Sequence, residues 1–166
     1  MSDPDPAARP SRRWWLVLTV AVAVIVIDQV TKSLALAHLS GAPRHVIGPF
    51  GFQLAYNSGS AFSLFQGTTV LLVVFDLALI AGLCWLGLRA TSLLLQIGIG
   101  LILGGALGNL ADRAVRHHHG GVIDFITLIH WPTFNAADSA ITIGAIVLAI
   151  GLLRDSSRSE PEAEAT

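Results

Sequence analysis

Four long apolar runs divide the chain, and most of its polar residues fall between or beyond them. The first, residues 14 to about 37, is unbroken to Ile27 and then carries Asp28-Gln-Val-Thr-Lys32 before continuing. The second covers 68–88 and closes on Arg89. The third covers 92 to about 111 and closes on Asp112-Arg113, and the fourth covers 135–153. Crossing the hydrocarbon core takes about 20 apolar residues as a helix, so each run predicts a transmembrane span. The first begins like a signal-peptide core behind Arg12-Arg13. It has no small-residue cleavage site and runs on into helix-compatible sequence, so it reads as an uncleaved helix.

Between the first two runs, residues 40–66 are broken by Gly41, Pro43, Gly48, Pro49, Gly51, Asn57, Ser58 and Gly59. Residues 51–56 alternate as a strand does, and 61–65 suit a short interfacial helix. Residues 114–134 read as a polar, then aromatic connection. The ends are tails: 1–13, with Pro4, Pro6 and Pro10, and the acidic 155–166 are expected to be disordered, leaving 14–154 as one membrane domain.

Composition supports this reading. Of 166 residues 53% are apolar and only 13% charged, too much oil for a soluble domain of this size to bury. The formal charge of −1 gives no cause to expect a nucleic-acid partner, and the single Cys84 excludes an internal disulfide. Lys and Arg set the orientation. Arg9, Arg12, Arg13, Arg89, Arg154 and Arg158 fall on one side, against Arg44, Arg113, Arg116 and Lys32 on the other. Both termini are expected in the cytoplasm, with both non-helical connections at the outer face.

Ionisable residues in so apolar a chain need a reason, since an Asp or Arg at the centre of a membrane helix costs about 2.5–3.5 kcal/mol. Asn135-Ala-Ala-Asp138 reads as a helix start, with Asn135 as the cap and Asp138 in an acidic first turn. Asp124, in Val-Ile-Asp-Phe, has no capping role. If the two carboxylates converge, repulsion and low dielectric raise one pKa and let the pair share a proton, as acid–base hydrolysis of a peptide requires. Gly100, Gly104 and Gly108, with Gly105 beside them, form a smooth face for helix packing that leads to Asp112. Asn109 and Arg113 are an i, i+4 pair next to it. Asp28 and Lys32, also i, i+4, are expected to form a salt-bridged clamp with each other or with Asp112-Arg113; direct substrate contact is the alternative. Asp76 reads as an isolated intramembrane acid, either neutral or paired across the bundle. His117-His118-His119 lacks the Cys or Glu that would complete a metal site, so no metal or cofactor is expected.

Five blocks together resemble the lipoprotein signal peptidases (signal peptidase II). They are Asp28-Gln-Val-Thr-Lys32, Asn57-Ser-Gly-Ser-Ala-Phe-Ser63, Gly104-Gly-Ala-Leu-Gly-Asn-Leu-Ala-Asp-Arg113, Val122-Ile-Asp-Phe125 and Phe134-Asn-Ala-Ala-Asp-Ser139. The resemblance implies an all-α bacterial inner-membrane protein: four transmembrane helices, a small extracytoplasmic β-sheet and a short interfacial helix, with the active site near the outer face. It implies an aspartyl endopeptidase that removes the signal peptide from prolipoproteins by cutting before a diacylglyceryl-modified cysteine. Asp124 and Asp138 match the catalytic pair, and Asn57, Asn109, Arg113 and Asn135 match residues lining the substrate pocket. Asp28, Lys32, Gly59, Gly108 and Asp112 match supporting positions. Ser60 stands where the family commonly has Ala, and Arg116-His-His-His-Gly-Gly121 is a loop of unusual composition. The partners implied are the lipidated precursor and membrane lipid, and a self-contained site implies a monomer. Two other classes compete: a small proton-relay subunit, which Asp76 alone fits, and a non-catalytic chaperone for lipidated peptides.

Overall fold

The computed structural model describes residues 14–39, 41, 44–57, 69–116 and 121–159. Within them lie four helices, α1 (Trp14–His38), α2 (Thr69–Gly87), α3 (Leu93–Val115) and α4 (Ala136–Ser159). Four strands accompany them: β1 (Arg44–Ile47), β2 (Phe50–Asn57), β3 (Val122–Leu128) and β4 (Trp131–Phe134). All four helices are long and apolar enough to cross a bilayer.

The central helix is α3. Of its most apolar window 61% is buried, against 11% for α2, 17% for α1 and 22% for α4, whose remaining apolar surface is left for lipid. Its glycines bring the neighbours in. A Cβ on Gly100 would lie 2.8 Å from Val20 Cβ, and one on Gly104 would lie 2.7 Å from the Ala21 carbonyl oxygen, both on α1. Gly105 faces the other way, where a Cβ would come within 2.5 Å of the Ala137 carbonyl oxygen on α4. Small residues allow backbones this close where lipid supplies no hydrophobic drive between helices. Val17, Ala21, Leu83, Ile99, Ile102 and Leu103 fill the core around this contact.

At the end of the bundle formed by the C-terminus of α1 and the N-terminus of α4 sits an antiparallel sheet in the order β1-β2-β3-β4. Gly48, at φ 54°, turns β1 into β2, a conformation that glycine adopts without a Cβ penalty. Strands β3 and β4 fall where the sequence reads as a loose connection. Val122 to Phe125 are all buried, so β3 has no polar face and no alternation to mark it. What it does have is a β-branched and aromatic composition that suits a strand.

Helix ends also differ from expectation. Helix α3 continues a turn past Ala111 to Val115, capped by the Arg116 N–H on the Asp112 carbonyl. Helix α4 continues through Ser159, so residues 155–159 belong to it and not to a tail. Polar residues at these ends mark where the apolar span stops, while the helix goes on. The expected interfacial helix at 61–65, Gly59 and His117–His119 lie outside the described residues.

Candidate active site

Asp124 comes from the middle of β3, opposite Ala55 of β2, and Asp138 from the first turn of α4. Asparagines join them. Asn135, fully buried just before α4, donates through Nδ2 to Asp124 Oδ1 at 2.7 Å and to the Ile123 carbonyl at 3.3 Å. Its own Oδ1 accepts the Asp138 N–H at 2.9 Å, while the Asn135 N–H reaches Asp138 Oδ2 at 3.1 Å. This reciprocal pair is a capping box, so Asp138 caps its helix and faces the site at once. Asn109 on α3 donates to Asp138 Oδ1 at 2.9 Å, and its Oδ1 accepts from Asn135 and Lys32. Asn57, at the end of β2, hydrogen-bonds Asp124.

Asp124 is 2% exposed. Burial, and next the neighbouring charge of Asp138, push its carboxyl up to about 6, against partial relief from Asn57, Asn135 and Lys32. At neutral pH one carboxyl of the pair is thus within reach of holding a proton that an ordinary aspartate has lost.

Beneath the pair lies a buried ionic cluster. Lys32 Nζ sits 2.8 Å from both Asp28 Oδ2 and Asp112 Oδ2, all three residues without exposed side-chain surface. Arg116 adds a second cation 3.3 Å from Asp112 Oδ1, leaving two carboxylates matched by two cations. Gln29 bridges Asp28, Asp112 and the Gly108 carbonyl, each at 3.1 Å, and accepts from Arg116. Gly108 leaves room here, since a Cβ would fall 2.6 Å from Asp28 Oδ2.

The remaining carboxylate oxygens reach outward. Asp28 Oδ1 accepts the Ala137 N–H at 3.0 Å, satisfying an otherwise orphaned donor in the first turn of α4. Asp112 Oδ2 also accepts the Ile123 N–H at 3.1 Å. Ala137 precedes Asp138 and Ile123 precedes Asp124, so the cluster grips the backbone next to each aspartate.

Sequence spacing misplaces one side chain. Arg113 does not lie with Asn109 and the cluster: its Nη1 is 2.6 Å from Asp76 Oδ2 on α2. Of the two alternatives for Asp76, the structure has it paired across the bundle. Gln29 and Arg116 carry no role in the sequence reading, yet both complete the cluster. The only signals available were the position of Gln29 beside Asp28 and the i, i+4 spacing of Asp112 and Arg116.

Fold and site define a class: a four-span membrane protein with two hydrogen-bonded carboxylates presented where its helix bundle meets a small sheet. Comparison with known proteins narrows it. The profile of the signal peptidase (SPase) II family matches residues 20–154. The chain is 39% identical to a lipoprotein signal peptidase of Mycolicibacterium smegmatis, covering 99% of this chain and 77% of that one. It is 42% identical to one of Mycobacterium avium, covering 87% and 82%. A solved bacterial membrane enzyme superposes with TM-score 0.77 at 31% identity, over 90% of this chain and 94% of the other. The chain belongs to the signal peptidase II family and is a membrane peptidase.

Proposed function

We propose that this peptidase removes the signal peptide from prolipoproteins, cutting before a diacylglyceryl-modified cysteine, with Asp124 and Asp138 as its catalytic pair. The observation that carries the reading is the convergence of the asparagine bridges on two carboxylates from separate elements, at the sheet end of an apolar bundle. In this mechanism a water between the carboxylates attacks the peptide carbonyl. Asp138, at a helix N-terminus with donors on both oxygens, acts as base. Asp124 starts protonated and donates to the carbonyl oxygen; Asp138 then passes the proton taken from water to the leaving amine, while the collapsing diol returns a proton to Asp124. Asn57 and Asn135 hold Asp124, and Asn109 holds Asp138. Arg113, one turn beyond Asn109 on α3, binds substrate backbone in this reading. The acyl chains supply affinity, about 0.8 kcal/mol for each buried methylene.

Charge bias supports the proposed orientation, with both termini cytoplasmic and the sheet and catalytic pair at the outer face of the inner membrane. A working monomer is part of the same proposal. The test is cleavage by protein purified in detergent, offered a diacylated precursor and its unmodified counterpart. Release of the signal peptide from the diacylated form only is the expected result. Binding of that precursor without cleavage would instead favour the chaperone reading.

A further inference from the structure

Asp76 has no part in the mechanism above, and its place on α2 asks for an explanation. The helix packs on the core through Leu79, Ile80, Leu83 and Leu86, toward its C-terminal end. An apolar residue at 76 would extend that contact without the cost of an acid in a lipid-facing helix. Helices α2 and α3 run antiparallel, so residues early in α2 lie beside the end of α3 and its Arg113. The pair is only slightly accessible, 16% for Asp76 and 12% for Arg113.

The guanidinium is only partly engaged. Nη1 meets Asp76, whereas Nε is buried and finds no acceptor among the described residues. A buried, unmade donor costs about 1–3 kcal/mol, which an arriving acceptor would offset. Arg113 lies one helical turn beyond Asn109, whose amide donates to Asp138, so it starts from the face of α3 that carries Asn109 although its guanidinium turns to α2.

We propose that Asp76 is a positioning residue: it fixes Arg113 through Nη1 so that the Nε–H is presented to a backbone carbonyl of the bound precursor. This rests on the peptidase reading for its substrate. An arginine left unanchored would swing among rotamers, and binding would have to order it again. The effect therefore falls on substrate affinity and acts through Arg113 alone.

The test is a double-mutant cycle with a synthetic diacylated precursor peptide and full-length protein in detergent. Asp76→Asn is expected to raise KM about tenfold with kcat within about twofold, and to change KM less than about twofold in an Arg113→Gln background. If the uncompensated arginine keeps Asp76→Asn from folding, Asp76→Glu, which keeps the charge on a longer arm, is expected to raise KM with kcat held. A fall in kcat and melting temperature with KM unmoved would make Asp76 a structural staple and overturn the proposal. An equal KM change in both backgrounds would do the same. The proposal remains testable if the peptidase reading fails, because binding of the same peptide to Asp124→Asn protein needs no cleavage. There Asp76→Asn is expected to weaken Kd about tenfold, and an unchanged Kd overturns the proposal.

Discussion

Asp124→Asn and Asp138→Asn are each expected to reduce kcat for the diacylated precursor by about 10²–10⁴-fold, the range general acid–base groups supply. Asparagine keeps the shape and one acceptor oxygen. Asn135 can still donate to position 124, and either Asn109 or the Asn135 N–H to position 138, so one bridge to each position persists. What asparagine cannot do is take a proton from water or hand one to the leaving amine. Asp124→Asn also removes a buried carboxyl facing a like charge, and the variant is expected to melt no lower than wild type. Loss of activity without loss of stability is the signature of a site that costs its fold something. A fully active Asn variant at either position would remove that residue from the mechanism.

Lys32→Met is expected to give the largest loss of stability of any single change in this region. Methionine fills the lysine's volume but leaves Asp28 and Asp112 buried against each other, with only Arg116 nearby. Breaking a buried pair by removing one partner costs about 3–5 kcal/mol. The damage also reaches the site, because Asp28 and Asp112 grip Ala137 and Ile123, the residues just before the two catalytic candidates. Thermal unfolding in detergent, read beside activity of the folded fraction, checks both effects. A Lys32→Met protein with wild-type melting would mean that the carboxylates find other partners or protonate at little cost.

Much of this was legible in the sequence because membrane physics is strict. Apolar runs of spanning length fix four helices, and the spacing of Gly100, Gly104 and Gly108 marks the face that receives α1. Asp124 stood out because no local structure accounts for it. Asp138 was harder, as its capping role is real and by itself accounts for an acid at that position. Other features are carried by pairings that spacing along one element cannot express. Arg113 is four residues from Asn109, but the partner that wins lies on α2, 37 residues away, across an antiparallel hairpin. Strand β3 was missed because it is buried on both faces, so the period-two signal is absent. Gln29, neutral and beside a more conspicuous aspartate, shows its role only once α3 delivers Asp112, Gly108 and Arg116 to it.

The central claim is that hydrolysis depends on two carboxylates sharing a proton, and kcat/KM measured against pH tests it most directly. As pH rises through about 6, Asp124 loses the proton that it must donate, and activity falls. The expected profile therefore descends through that range, with the fall set by Asp124 in the free enzyme. An activity that stays level from about pH 5 to 9 would contradict the shared-proton mechanism, because no step would then wait on a carboxyl proton.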